Sequence, residues 1–234
     1  MTRAGETRYR RLLVAGMMFV AFATGIAALL YQVIWQRMLV LYTGSDVQSA
    51  SLIISAYLAG LGVGSWAGLR FADRCSARRA VQVYGLANCF IALFAVLSPW
   101  LLHHVFYLRS LGMDHGLLWM WLEIFVALVV PTALMGISLP LLSRGLAARP
   151  DAIPSLVSAL NGFNTLGAAL GCLAAAWWLA PAVGFERSLQ YGACISLVSG
   201  VLVLALAQLF SDAPPAPAIV AQPQPVQAGD RRTR

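Results

Sequence analysis

The sequence predicts an all-α protein, an integral membrane bundle of six transmembrane helices, and three observations predict it. The composition is 60% hydrophobic and only 11% charged. Uncharged apolar runs recur at close to the roughly 20 residues that a bilayer-spanning helix needs. Arginines gather between alternate runs, as the orientation of membrane helices requires.

The first predicted span, Leu12 to Ile34, follows the basic start MTRAGETRYRR. Its apolar run exceeds the roughly 7–15 residues of a secretory h-region, and no A-x-A-like cleavage site closes it, so it is read as a retained helix. The next spans are Val47 to Leu69, Val81 to Leu102 and Leu117 to Leu142. The fourth holds Pro131, Gly136 and Pro140 and is expected to kink, because proline removes a backbone donor and crowds the preceding turn. Ser155 to Leu179 and Ser188 to Phe210 complete the set. Residues 1–11 form a basic N-terminal segment, residues 12–210 the transmembrane domain, and residues 211–234 a Pro-, Ala- and Gln-rich tail expected to be disordered.

Orientation follows from the arginines, which account for all 16 basic residues. With the N-terminus in the cytoplasm, Arg37, Arg109 and Arg187 lie outside and the other 13 lie inside, so both termini are expected to be cytoplasmic. The net charge of +7 then reflects topology and attraction to anionic lipid, and nucleic acid is not an expected partner. Cys75, Cys89, Cys172 and Cys194 are isolated, without zinc or redox spacing. His103, His104 and His115 share one outer loop with no ligand spacing, and neither metal nor cofactor is expected.

Two glycine stripes stand out. Gly60, Gly64 and Gly68 recur every four residues in the second span, and Gly167 and Gly171, followed by Ala175, repeat the spacing in the fifth. Such stripes let helix backbones approach closely, and packing is their leading role. Their corresponding places in two sets of three spans, which must run in opposite directions, suit a 3+3 inverted repeat.

Polar residues in the apolar runs supply the candidate sites. YQVIWQRML places Tyr31 and Trp35 on one helix face and Gln32 and Gln36 on the next, with Arg37 just beyond. An interfacial aromatic belt with a snorkelling arginine accounts for Tyr31, Trp35 and Arg37. The glutamine amides need hydrogen-bond partners, with Asn161, Asn164 and Thr165 or Ser49 and Ser51 as candidates. The two serines are favoured, since they begin the second span just across the outer turn. Glu123 is the acid well inside a span, a functional candidate weighed against a place near the outer interface.

Three longer stretches carry a resemblance: TGIAALLYQVIWQRMLVLYTGSDVQSASLIISAYLAGLGVGSWAGLRFADR, PTALMGISLPLLSR and LNGFNTLGAALGCLAAAWWLAPAVGFERSL. They resemble the membrane domain of bacterial fused spermidine synthase-like proteins. That resemblance implies a bundle loosely similar to half of a major facilitator transporter. LRFADRCSARRA keeps Asp73, Arg74, Arg78 and Arg79 of the facilitator loop pattern but has Leu69 and Ser76 where glycines belong. It also implies an aminopropyltransferase-related cytosolic domain after the last span, and no glycine-rich nucleotide loop with an acidic partner is found there. The expected function is therefore a noncatalytic membrane module, in the bacterial inner membrane, that anchors or regulates a separately encoded synthase-like protein. A small-solute transporter built as a homodimer of six-helix halves, or a structural subunit of a membrane complex, are the alternatives. Polyamines are poor cargo for such a transporter, because one buried Glu is too few to replace the hydration of a polycation.

Overall fold

A computed structural model describes residues 3–107, 117–146 and 153–210, and no strand occurs among them. Six long helices form the bundle: α1 (Arg3–Thr43), α2 (Asp46–Ala72), α3 (Ala77–Trp100), α4 (Leu117–Leu146), α5 (Ile153–Ala174) and α6 (Ala180–Leu206). Side-chain and backbone partners mark several ends. Gly44, at φ +70°, turns the chain out of α1, and the Ser45 hydroxyl then caps α2 by accepting from Gln48 N at 3.3 Å. Ser76 caps α3 in the same way through Arg79 N, at 3.3 Å. Arg144 Nε donates to Ala72 O at 3.2 Å, so the end of α4 satisfies a carbonyl that the end of α2 leaves open.

Among the described residues, five stretches are long and apolar enough to cross a membrane, namely Leu12–Tyr42, Asp46–Ala72, Ala77–His104, Trp119–Leu146 and Pro154–Leu209. The last covers 56 residues and is broken at Gly184, whose φ of 79° and ψ of 175° are not helical. The chain doubles back there. Asn164 packs on Gly25 of α1, and the Ser196 hydroxyl bonds the Tyr31 hydroxyl at 2.9 Å. Gly25 and Tyr31 are about 9 Å apart along α1, whereas Asn164 and Ser196 would be about 48 Å apart on one straight helix. Pairing of Arg78 at the start of α3 with Gln208 brings the far end of α6 to the same end of the bundle.

Pro131 and Pro140 both lie inside α4, which carries no residue with non-helical backbone angles; such a residue occurs at Gly184 in α6. Neighbouring hydroxyls explain part of the tolerance. Pro140 has no N–H for the carbonyl of Gly136, and Ser65 of α2 donates its hydroxyl to that carbonyl at 3.2 Å. Pro99 likewise leaves the carbonyl of Ala95 open, and Ser98 Oγ donates to it at 2.8 Å. Near Pro181 the ladder relaxes into the π-helical segment Ala175–Leu179, where Ala180 N bonds Ala175 O.

Helices pair most extensively as α2 with α4, α1 with α5 and α3 with α6, followed by α3 with α4 and α1 with α6. The glycine stripes make the first two pairings. A Cβ on Gly64 would lie 2.0 Å from Ala133 O, and one on Gly60 would lie 1.9 Å from Thr132 Oγ1. Gly68 faces Ile137 and Pro140. On the other side, Gly167 would meet Phe22 O at 2.0 Å and Gly171 would meet Ile26 O at 2.1 Å. Large apolar side chains such as Leu58, Trp66, Trp177 and Val198 remain on the outside, an exterior suited to hydrocarbon. The tail 211–234, Arg109, His115, Arg149 and Asp151 lie outside the described residues.

Candidate functional site

The cluster YQVIWQRML does not end its helix, because α1 continues to Thr43. This overturns the reading of Tyr31 and Trp35 as an interfacial belt. Tyr31 is 0% and Trp35 1% exposed. Their rings stack on each other at 5.5 Å, and Phe94 meets Trp35 edge-on at 5.7 Å. Buried aromatic N–H and O–H groups need partners, and both have them. Trp35 Nε1 donates to Ser98 Oγ at 2.8 Å, the same hydroxyl that covers the carbonyl left open by Pro99. Tyr31 pairs with Ser196, and Gly192 makes room for its ring, since a Cβ there would lie 2.6 Å from Tyr31 Cε1. Arg37 alone of the three keeps its outward position.

The glutamines join α1 to α2 through Asp46 and Tyr57. Gln36 Nε2 donates to Asp46 Oδ1 at 3.3 Å, and Gln32 faces the Tyr57 hydroxyl. Ser49, at the start of α2, is fully buried and Ser51 is exposed. Asn161, Asn164 and Thr165 do not meet the glutamine amides, because they lie lower, against the first half of α1. Gln32 is 9% exposed and its Nε2 donor has no hydrogen-bond partner.

Asn161 and Asn164 belong to a different feature, a cavity of about 610 Å³ between α1, α2, α4 and α5, with Tyr84 of α3 at its wall. Among the described residues its lining is uncharged, with Thr24, Tyr57, Ser65, Tyr84, Ser138, Asn161, Asn164 and Thr165 as its hydrogen-bonding side chains. A smaller space of about 60 Å³ shares Thr24, Tyr57, Ser138 and Asn164 with it and reaches Tyr31, Asn88 and Ser196, so all six helices contribute. Several of these groups are already engaged. Thr24 Oγ1 donates to Ala21 O at 3.1 Å and lies 3.3 Å from the Tyr84 hydroxyl, and Ser138 Oγ donates to Leu134 O at 3.1 Å. Glu123, half-buried on α4, and Arg37 stand outside the cavity. Sequence reasoning missed Thr24, Tyr57 and Ser138, since no local spacing joins them to one another or to the asparagines.

The class defined by this geometry is a bundle of apolar helices around a neutral polar cavity. No protein-family model matches the chain, and no solved structure matches it. Among curated proteins it is similar to polyamine aminopropyltransferases. Numbers 2 and 1 of Ralstonia nicotianae are each 27% identical over 184 residues, covering 78% of this chain and 34% and 33% of theirs. That of Corynebacterium efficiens is 33% identical over 168 residues, covering 68% of this chain and 29% of its own. The chain thus spans about a third of the length of the curated relatives it matches.

Proposed function

We propose that this chain is the membrane-embedded, noncatalytic part of an aminopropyltransferase system, and that it holds or regulates the catalytic protein at the inner face of the bacterial cytoplasmic membrane. One observation carries the reading. A match of 184 residues to polyamine aminopropyltransferases necessarily falls mostly within the bundle, and the cavity of that bundle has no charged residue among its described lining. Aminopropyl transfer to a cationic amine needs carboxylates to seat the amine and a general base near the attacking nitrogen. Tyr, Thr, Ser and Asn side chains do not supply them.

The reading includes six crossings with both termini cytoplasmic, supported by the reversal at Gly184 and the arginine distribution. It also includes a 3+3 inverted repeat. Exchanging α1 with α4, α2 with α5 and α3 with α6 turns the α2–α4 pairing into α5–α1 and the α3–α4 pairing into α6–α1, and all of these are among the extensive contacts. The glycines follow the same exchange: Gly136 of α4 abuts Leu61 of α2, and Gly25 of α1 abuts Asn164 of α5.

The test is purification of the full chain from membranes in mild detergent, identification of what accompanies it, and assay of decarboxylated S-adenosylmethionine with putrescine. The expected result is no turnover by the chain alone and turnover by a co-purified synthase-like protein. Turnover by the isolated chain that is lost on changing Asp73 would refute the noncatalytic reading.

A further inference from the structure

We infer that the central cavity is a binding site for an uncharged nucleoside, and that the ligand it fits is 5′-methylthioadenosine, the neutral product that aminopropyl transfer leaves behind. The ligand identity rests on the function proposed above; the site itself rests on the cavity. In the transfer, the acceptor amine nitrogen bonds the aminopropyl carbon of a sulfonium donor and the carbon–sulfur bond breaks. The electron pair stays on sulfur and the amine releases a proton. The leaving group is therefore a thioether without charge, whereas the donor and the polyamine product are both cationic.

The cavity discriminates on that charge. No carboxylate lines it among the described residues, so a polyamine entering would lose its hydration without gaining a counter-ion there. A neutral molecule avoids that cost, and about 610 Å³ lies within the roughly 300–1,000 Å³ of pockets that hold drug-sized ligands. The lining matches the parts of the nucleoside. Asn161 and Asn164 present amides that make no side-chain hydrogen bond among the described residues. An asparagine amide offers a donor and an acceptor together, the pair that reads the N6 and N7 edge of adenine. Tyr57 supplies a ring on which a base stacks. The Gln32 amide, buried and with an unpartnered Nε2, stands against the Tyr57 hydroxyl and acts as a positioning residue for that ring. Thr24 and Ser65 offer hydroxyl oxygens to a ribose, while Met135, Leu139 and Leu142 give an apolar wall for the methylthio group.

The experiment is equilibrium binding of radiolabelled 5′-methylthioadenosine to the purified full chain in detergent, with unlabelled spermidine as competitor. Saturable binding is expected, unchanged by a tenfold excess of spermidine. Asn164→Leu should weaken it at least tenfold with little change in melting temperature. Asn161→Leu, at an exposed position, gives a second reading should Asn164→Leu fail to fold. Gly62→Ala, where a Cβ meets nothing within 4 Å, should bind as the parent does. Displacement by spermidine, no saturable binding by folded protein, or unaltered affinity in both asparagine variants would overturn the inference. A chain that accompanies aminopropyl transfer yet binds no nucleoside overturns this site alone. A chain that binds the nucleoside with the expected variant pattern but accompanies no transfer supports the site and removes the proposed function.

Discussion

Replacing Gly64 by alanine should destabilise the bundle sharply, while the same change two residues earlier at Gly62 should not. The added methyl of Gly64→Ala would lie 2.0 Å from Ala133 O and 2.8 Å from its carbonyl carbon, both backbone atoms. That is roughly 1.5 Å short of an ordinary non-bonded contact. No rotamer relieves it, so α2 and α4 must separate. Two bonds that cross this seam then stretch, Ser65 Oγ to Gly136 O at 3.2 Å and Thr132 Oγ1 to Ala56 O at 3.1 Å. Overpacking costs about 1–3 kcal/mol. Each interhelical hydrogen bond in such a bundle contributes about 0.6 kcal/mol, which brings the loss to about 2–4 kcal/mol. Gly62→Ala meets nothing within 4 Å and gains helix propensity of about 1 kcal/mol at most. For a chain of this size the two variants should differ in melting temperature by on the order of 10 °C, read by tryptophan fluorescence in detergent. Melting within about 2 °C of each other would refute the account of the glycine stripe as a backbone seam.

Gly167→Ala, whose Cβ would meet Phe22 O at 2.0 Å, should cost as much as Gly64→Ala; a mild effect would remove the equivalence of the two seams on which the repeat rests. Ser98→Ala strips Trp35 Nε1 and the carbonyl of Ala95 of one shared partner and should lower stability by about 1–3 kcal/mol, with Trp35→Phe rescuing part of the loss. Burial pushes the Cys75 thiol up from its usual range, against the opposing pull of Arg144 and then Arg79. A variant retaining Cys75 alone should therefore react slowly with iodoacetamide at pH 8 when folded and faster after denaturation or at higher pH; equal folded and denatured rates would contradict the burial. Reporter fusions after Arg79 and at the C-terminus should both report cytoplasm, and either one outside would overturn the six-crossing topology.

What the sequence made legible was whatever repeats along one helix. The apolar runs and the two glycine stripes have local periods, and helical spacing alone says which residues share a face. Tyr31 and Trp35 were misread for the complementary reason. Aromatics near the end of an apolar run look like an interfacial belt, and what buries them comes from afar: Ser98 is 63 residues from Trp35, and Ser196 is 165 from Tyr31. Asn161 and Asn164 stood out because two amides in an apolar span are conspicuous, yet Thr24, Tyr57 and Ser138 complete the cavity as single residues that no pattern joins. The prolines of α4 drew attention as kink sites. The serine on α2 that bonds the carbonyl freed by Pro140 had no local signal at all.

Those same serines bear on how the interior stays neutral. Each interior proline frees a carbonyl that hydrocarbon will not hydrate, and the described partners are hydroxyls, Ser65 for Gly136 and Ser98 for Ala95. A hydroxyl satisfies such a carbonyl without importing charge, whereas arginine or lysine in the same place would add a cation beside the cavity. Arg144 does bond an open carbonyl, but that carbonyl belongs to Ala72 at the end of α2, away from the cavity lining. Glu123, half-buried on α4, also stands outside that lining, whose described residues offer neutral hydrogen-bonding groups. Backbone repair and a cavity whose described lining carries no charge therefore follow from one choice of side-chain chemistry, the hydroxyl, which is what the nucleoside proposal requires of this space.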